Sequence, residues 1–183
     1  MDASIELAAF AQASFPKRNR LRRALWNVTC AVFFRLSPRP LHGWRSFLLR
    51  CFGAQVGKGC HVYPRAVIWA PWNLELGRVV AIADDAEVYN PSLIKIGDYA
   101  VVSQGAYLCG ASHEYRSWKF QLISRPITIG KYSWVAARSI VNMGINLGEG
   151  CIIGIGSVVT KDMPAWTVCA GNPCRPIKPY AKS

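Results

Sequence analysis

The chain has 183 residues, of which 51% are hydrophobic, and a formal net charge of +12 from 22 Lys and Arg against 10 Asp and Glu. This length fits one domain with a small appendage, and the apolar content excludes a disordered tail. The excess positive charge indicates an anionic partner such as nucleic acid, anionic lipid or a phosphorylated ligand.

The N-terminal segment, residues 1–55, is predicted to contain two helices. Residues 20–35 form an amphipathic pattern whose apolar side carries Leu21, Leu25, Val28 and Val32. After the Pro38-Arg-Pro40 break, a second helix is predicted from the spacing of Leu41, Trp44, Phe47, Leu48 and Cys51. We expect both helices to form a cap that packs on the first coil of the repeat described below.

The positive charge is concentrated in residues 17–50, which hold nine Lys or Arg and no Asp or Glu. These residues indicate either a solvated helix face or contact with an anionic membrane surface, where each basic residue contributes about 1 kcal/mol. The apolar stretch 24–34 is far shorter than the roughly 20 residues that span a bilayer. Asp2 and Glu6 argue against a signal peptide, and seven cysteines without a Cys-x-x-Cys pair argue against a secreted disulfide framework or a zinc site. We therefore predict a cytoplasmic protein, with peripheral contact to the inner face of the membrane as an open alternative.

From Val56 the sequence repeats every six residues. Ile, Leu or Val fills the first position of 14 hexads, at Val56, Val62, Ile68, Leu76, Ile82, Val88, Ile96, Val102, Leu108, Ile129, Val135, Val141, Leu147 and Ile153. A period of six fits neither an α-helix nor an alternating strand. It predicts an all-β fold, a parallel β-helix of about five coils, in which the aliphatic residues fill a central column and small residues occupy the corners.

We assign residues 56–163 to this β-helix and residues 164–183 to a basic C-terminal tail that leaves the β-helix at Met163-Pro164. The repeat is interrupted at residues 113–126, which predicts one extruded loop, a common position for functional residues. The loop begins with His113, and a neutral imidazole can accept a proton from a hydroxyl. The other two histidines, 42 and 61, are assigned packing or surface roles.

These motifs together resemble the hexapeptide-repeat O-acetyltransferases of the galactoside, maltose and nodulation-factor type. The resemblance rests on the hexads, His113 at the start of the loop, the Pro126–Trp134 restart, residues 153–162 and Gly171–Arg175. Residues 38–44 and 68–74 are most similar to the colanic acid biosynthesis acetyltransferases. The resemblance implies a left-handed β-helix and a homotrimer with active sites between neighbouring subunits. It also implies acetyl transfer from acetyl-CoA to a sugar or lipid-linked oligosaccharide in surface polysaccharide biosynthesis.

The same resemblance implies roles for single residues and no metal. His113 would be the general base in a direct attack on the thioester, with Cys109 assigned to packing. Asn90 would bind the acceptor, and Glu114 would either contact the sugar or be a solvated loop carboxylate. Acetyl-CoA would contact Trp134, Ala137, Ile155, Thr160, Lys161 and Arg175. Relatives often carry Ser at position 137 and Ala at position 155, so main-chain contacts are expected at these two positions.

Three other functions fit the sequence less well. A non-catalytic β-helix scaffold or sugar-binding protein would have no use for His113, the Thr160-Lys161 pair or the basic tail. A γ-class carbonic anhydrase shares the fold but needs three converging imidazoles, and no second histidine lies near His113 in the sequence. Nucleic-acid binding is disfavoured because the basic residues are interleaved with apolar ones and form no recognition module.

Overall fold

The computed structural model describes residues 15–181, which wind into a solenoid with three parallel sheets. Sheet A contains β1 (Gln55–Val56), β4 (Leu74–Leu76), β7 (Ile94–Ile96), β12 (Ile127–Ile129) and β15 (Asn146–Leu147). Sheet B contains β2 (His61–Val62), β5 (Ala81–Ile82), β8 (Val101–Val102), β13 (Trp134–Val135), β16 (Ile152–Ile153) and β18 (Thr167–Gly171). Sheet C contains β3 (Val67–Ile68), β6 (Glu87–Tyr89), β9 (Tyr107–Cys109), β14 (Ile140–Asn142) and β17 (Val158–Val159). The chain visits the sheets in the order A, B, C, so each coil is a triangle and the fold is the predicted parallel β-helix.

The predicted aliphatic column forms the centre of the solenoid. Thirteen of the fourteen first-position residues are buried, with exposed fractions of 4% or less. Val56, at the open end of the column, is partly buried. A buried Val, Leu or Ile side chain contributes about 1.5–3 kcal/mol relative to an exposed one. The hexad period therefore places the main source of stability in a line along the solenoid axis.

Three glycines at one edge of sheet A allow successive coils to approach closely. Gly77, Gly97 and Gly130 end three similar four-residue segments of the sequence, 74–77, 94–97 and 127–130. A Cβ atom on any of them would lie 2.5–2.6 Å from a backbone nitrogen of the next coil. Any side chain at these positions would push the coils apart. These glycines are required by the spacing between coils.

The corners between the sheets are short turns, named here by the sheets that they join. Corner BC contains the turns at 64–65, 84–85, 104–105, 137–138 and 155–156. Corner CA contains the segments 69–73, 90–93, 110–126, 143–144 and 160–162. The predicted extruded loop leaves from corner CA as an antiparallel hairpin of β10 (Ala111–His113) and β11 (Leu122–Ser124). Because the coils are in register, residues about 20 positions apart share a corner.

The N-terminal helices pack on the first coil, but α1 uses the side opposite to the one that we predicted. Helix α1 (Lys17–Thr29) continues into a π-helical turn, Cys30–Phe34. Trp26 and Phe34 are buried, and the Trp26 indole Nε1 donates to the Ile68 carbonyl at 2.6 Å. The predicted apolar side is solvent-exposed, with exposed fractions of 48–65% at Leu21, Leu25, Val28 and Val32. The large indole and its hydrogen bond outweigh the four smaller aliphatic side chains, so the stripe points outward.

Helix α2 (His42–Cys51) is attached through a buried arginine that the apolar spacing did not predict. Of the five apolar residues at helical spacing, only Leu48 is buried. Arg45 is fully buried, and its guanidinium donates to the Val62 carbonyl at 2.6 Å and to the Arg39 carbonyl at 2.6 Å. It also donates to the Ser37 hydroxyl at 2.7 Å. One side chain thus ties α2, the interhelical turn and the first coil together.

The sequence predicted that the chain leaves the solenoid at Met163-Pro164. In the structure, the C-terminal segment instead continues the solenoid. Met163 bridges to Leu147 of sheet A, and β18 continues sheet B in register with β16. Strand β19 (Cys174–Pro179) then turns back and pairs antiparallel with β18. The break in the hexad pattern marks the closing hairpin rather than the end of the coils. No helix within residues 15–181 is long and apolar enough to cross a membrane.

Replacing Arg45 by alanine should strongly destabilise the fold. The substitution R45A removes the guanidinium donors of the Val62 and Arg39 carbonyls and of the Ser37 hydroxyl, and we expect the free energy of unfolding to fall by about 3 kcal/mol. Thermal unfolding followed by circular dichroism should show a melting temperature lower by roughly 10 °C. The control R20A removes an exposed arginine of α1 and should change stability by about 0.5 kcal/mol or less. Equal melting temperatures for R45A and R20A would contradict the assignment.

Candidate active site

The hairpin that interrupts the hexads at corner CA presents His113 at the loop end of its strand pair. His113 is the last residue of β10, and its Cα is paired with that of Leu122 in β11. The side chain is exposed. The strand pair fixes the backbone of the histidine while its imidazole remains accessible from solvent. This is the arrangement that a proton-transferring group requires.

The imidazole of His113 is held by Phe120, from the opposite side of the same loop. The Nδ1 atom lies 2.7 Å from the Phe120 carbonyl oxygen, and the two rings stack with centroids 4.4 Å apart and planes 4° from parallel. A carbonyl oxygen only accepts, so Nδ1 carries the proton and donates. In the neutral imidazole with this tautomer, the lone pair is on Nε2, the atom that points away from the Phe120 contact.

Phe120 was not singled out by sequence reasoning. It has a φ of 41°, in the left-handed region that non-glycine residues seldom adopt. Such conformations cost roughly 1–2 kcal/mol and are concentrated at functional sites. The separation of seven residues from His113 carries no motif, and the positive φ is invisible in the sequence. Only the loop conformation shows that this carbonyl selects the tautomer of the histidine.

Glu114 and Cys109, the neighbours of His113, have local contacts. The Glu114 carboxylate accepts a hydrogen bond from the Arg116 backbone N–H at 3.2 Å, within the turn of the loop. The Cys109 thiol donates to the Ala111 carbonyl at 3.3 Å. The carboxylate therefore helps to shape the loop, and its predicted contact with a sugar stays a prediction. The thiol contact agrees with the packing role assigned to Cys109.

Four cysteines of the core are poor candidates for nucleophiles. Burial raises the pKa of the Cys60, Cys151, Cys169 and Cys174 thiols above the usual value, and the proximity of Cys169 raises that of Cys151 further. These four groups are neutral thiols near neutral pH. Within residues 15–181, no three His, Cys, Asp or Glu side chains are placed so that they could hold a metal ion.

Asn90 is completely buried beneath corner CA. Its side-chain oxygen accepts from the Ala70 N–H at 2.9 Å, and its amide nitrogen donates to the carbonyls of Ala70 at 2.8 Å and Asn73 at 2.9 Å. These bonds hold the 3-10 turn Pro71–Asn73 of the preceding coil. The structure gives this side chain a supporting position, and its predicted contact with the acceptor stays a prediction.

Three of the predicted acetyl-CoA contacts lie on sheet B and corner BC. Trp134 points outward from β13, and its indole Nε1 donates to the Ser103 hydroxyl at 2.8 Å. Ala137 and Ile155 lie in consecutive turns of corner BC, where the Gly156 N–H donates to the Ala137 carbonyl at 3.0 Å. Ile155 is 75% exposed, and its predicted contact with acetyl-CoA stays a prediction.

The other three predicted contacts lie at the C-terminal end of the solenoid. Thr160 and Lys161 are exposed on corner CA, two coils beyond the hairpin, or about 10 Å at the usual strand spacing. Arg175 is exposed on β19, where its guanidinium donates to the Cys174 carbonyl at 3.0 Å. Arg175 therefore belongs with Trp134, Ala137 and Ile155 on the side of sheet B and corner BC, whereas Thr160 and Lys161 share corner CA with His113. Sheet C separates the two groups within one chain.

A polar groove of about 530 Å³ continues corner BC toward the N-terminal cap and was missed by sequence reasoning. Its lining includes Arg39, Tyr63, Asp84, Val101, Ser103 and Gln104. The guanidinium of Arg39 lies 4.9 Å from the centroid of the Tyr63 ring and 3.6 Å from the Asp84 carboxylate. The signal available in the sequence was the coil length of about 20 residues, which places positions 63, 84 and 104 on one corner.

Comparisons with known proteins agree on one family. Residues 126–161 match the family model described as the hexapeptide repeat of succinyl-transferase. The chain is 41% identical over 155 residues to the colanic acid biosynthesis acetyltransferase WcaF of Escherichia coli K12, with 85% of each chain covered. It superimposes on a maltose O-acetyltransferase from Clostridium difficile 630 with a TM-score of 0.83 and 27% identity, covering 91% of this chain and 90% of the other. A galactoside acetyltransferase in complex with coenzyme A gives a TM-score of 0.82 and 28% identity, covering 91% and 84%.

The tautomer of His113 can be tested directly. At a pH at which imidazole is neutral, ¹⁵N–¹H correlation spectra should show His113 with its proton on Nδ1, because the Phe120 carbonyl accepts from that atom. The variant F120G removes the stacked ring but keeps the backbone carbonyl and suits the left-handed backbone, so the Nδ1–H tautomer should persist. The control F120Y keeps the ring and should retain the native tautomer. A native His113 protonated mainly on Nε2 would exclude this arrangement.

Proposed function

The chain belongs to the hexapeptide-repeat O-acetyltransferase family and is an acetyl-CoA-dependent acetyltransferase, and we propose that it acetylates a sugar hydroxyl with His113 as general base. The observation that carries the proposal is the Nδ1 contact of His113 with the Phe120 carbonyl, which leaves Nε2 free to accept a proton. The proposed acceptor is a sugar or lipid-linked oligosaccharide precursor of a surface polysaccharide. The proposed location is the cytoplasm, at the inner face of the membrane.

In the proposed mechanism, Nε2 of His113 removes the proton from the sugar hydroxyl as its oxygen attacks the thioester carbonyl of acetyl-CoA. The tetrahedral intermediate collapses with cleavage of the carbon–sulfur bond, and the imidazolium returns the proton to the CoA sulfur. Positioning both substrates in one cleft provides a large share of the acceleration. The packed Cys109 thiol and the neutral core thiols fit direct transfer without an acyl-enzyme.

The separation of the two groups of residues supports an active site between subunits. The hairpin with His113 lies at corner CA, whereas Trp134, Ala137 and the polar groove lie at or beside corner BC, beyond sheet C. A second copy that places its corner BC against corner CA of the first would complete the cleft. Three such contacts close a ring, the proposed homotrimer.

Within this cleft, acetyl-CoA would lie along the coils. The Trp134 ring would flank the pantetheine arm, and the backbone at Ala137 and Ile155 would contact its amides. Thr160, Lys161 and Arg175, which are exposed at the C-terminal end of the solenoid, would bind the phosphates of the nucleotide end. The acceptor would occupy the side of His113 that faces the N-terminal cap, between Glu114 and the polar groove of the second copy.

A non-catalytic scaffold or sugar-binding protein is the alternative. It would tolerate any residue at position 113, whereas the structure holds this side chain with a hydrogen bond and a stacked ring. The experiments below separate the two functions, because a scaffold releases no thiol from acetyl-CoA.

Replacing His113 should abolish turnover without affecting assembly. With H113A we expect the kcat for thiol release from acetyl-CoA, measured with a panel of sugars, to fall by about a hundredfold or more, the usual contribution of a general base. The control H61A removes an exposed histidine that stacks on His42 in the cap, and it should retain turnover. Size-exclusion chromatography should show the same assembly for both variants. Equal turnover in H113A and wild type would remove His113 from the mechanism.

Reversing the charges at the nucleotide end should weaken binding of acetyl-CoA specifically. The double variant K161E/R175E should raise the KM for acetyl-CoA by roughly tenfold or more, because two cations that face phosphates are replaced by anions. The same variant assayed with acetyl-pantetheine, which has no phosphates, should have an unchanged KM. The control K58E reverses an exposed charge in the first coil and should leave the KM for both donors unchanged. A similar rise in KM with both donors would contradict the assignment.

A further inference from the structure

The N-terminal cap carries an apolar surface that no other part of residues 15–181 covers. On α1, Leu21, Leu25 and Val28 are more than half exposed and lie within an arc of about 60° at 100° per residue. Val32 and Phe33 of the following turn are also about half exposed. The four residues 21, 25, 28 and 32 form what we call the α1 stripe. Contiguous aliphatic surface of this kind marks an interaction site in a folded protein.

The orientation of the α1 stripe is fixed from the opposite side of the helix. Trp26 is anchored to the Ile68 carbonyl, and the guanidinium groups of Arg22 and Arg23 lie 4.3 Å and 4.0 Å from the centroids of the Trp72 and Trp69 rings. These three contacts with the first coils therefore prevent the helix from turning its stripe inward. The exposure of the stripe follows from the way in which the cap is attached.

Helix α2 extends the apolar surface with aromatic side chains. Trp44 and Phe47 are 40% and 52% exposed, and their rings stack with centroids 5.8 Å apart. The Trp44 indole Nε1 donates to the Phe33 carbonyl at 2.9 Å, which joins this pair to the end of α1. An aromatic residue with an apolar body and a polar tip is well suited to the interface between water and lipid headgroups.

Exposed basic residues surround the stripe. Lys17, Arg18, Arg20 and Arg35 are exposed, and residues 17–50 contain no acidic side chain. An aliphatic stripe with a cationic rim is complementary to a surface that has an apolar interior and an anionic outer layer. A second copy of the chain would bring two cationic rims together. A nucleic acid would pair with the rim but leave the aliphatic stripe in water.

From this complementarity we infer that the N-terminal cap docks on an anionic lipid bilayer, with the α1 stripe and Trp44 in the headgroup layer and the basic rim against the lipid phosphates. This surface lies at the end of the solenoid where the first coil begins. It would place the open cleft beside the membrane, so that an acceptor carried on a lipid reaches the active site without leaving the bilayer. The surface is independent of the chemistry at His113, while the membrane location and the lipid-carried acceptor rest on the proposed function.

The test is flotation of the full-length protein with vesicles. We expect binding to phosphatidylcholine vesicles that contain about one third phosphatidylglycerol, little binding to pure phosphatidylcholine, and weaker binding as salt is raised from about 0.1 M to 1 M. The apolar variant L25Q/V28Q should reduce partitioning by about tenfold or more. The charge variant R18Q/R20Q/R35Q should reduce it by a similar or larger factor. The control I177Q removes an exposed aliphatic residue on β19, at the other end of the solenoid, and should bind like wild type.

Other occupants of the stripe give different outcomes. If a second copy covers it, L25Q/V28Q should dissociate the assembly in size-exclusion chromatography, and that result would overturn the inference. Absence of wild-type binding to anionic vesicles would do the same, as would equal partitioning of wild type and L25Q/V28Q. Thiol release with a soluble sugar should be unaffected in both variants. A failure of docking is thereby distinguished from a failure of the proposed chemistry.

Discussion

Every functional feature of this protein depends on the parallel ladder of hydrogen bonds between coils. Each coil adds about 20 residues, and each strand lies directly above its equivalent in the preceding coil, as Leu74, Ile94 and Ile127 do in sheet A. The aliphatic column fixes this register, because a slip by one residue would turn its members outward. Once the register is fixed, the number of residues between two positions in the sequence determines where they lie relative to each other on the surface of the solenoid. Residues of different coils form a common groove without belonging to a common motif.

The register also explains which features could be predicted from the sequence. The first positions of the hexads are the residues that form the column. The parallel β-helix, the loop and the position of His113 at its start could therefore be predicted from the spacing alone. The orientation of α1 did not, since a hydrophobic pattern identifies an apolar side but not what covers it. Trp26 has one large ring and a donor that finds the Ile68 carbonyl, and this contact outweighs four aliphatic residues. Arg45 escaped prediction for the same reason, because its partners are backbone carbonyls, which the sequence does not display.

The residues of the candidate site also divide into those that the sequence could place and those that it could not. The residues in the hexads, such as Ala137 and Ile155, could be placed on a corner by counting. The groups that tune the chemistry are main-chain atoms in irregular segments. The Phe120 carbonyl decides which nitrogen of His113 is protonated, and it acts through a loop conformation with a positive φ. Similarly, the Asn90 side chain is hydrogen-bonded to the backbone of Ala70 and Asn73, and only the structure of the turn in the preceding coil shows these bonds.

The rigidity of the solenoid limits how the two halves of the site can meet. A globular enzyme could bring His113 and Trp134 together by bending, but a stack of coils with a packed column cannot fold one corner onto another. In the proposed site the distance across sheet C is closed by a second molecule, so assembly and catalysis would depend on the same surfaces. The cap is then the part of the chain that is free to take another role. Its attachment through Trp26 and Arg45 uses few of its apolar side chains, and the rest, with the basic rim, remain available at the end of the solenoid.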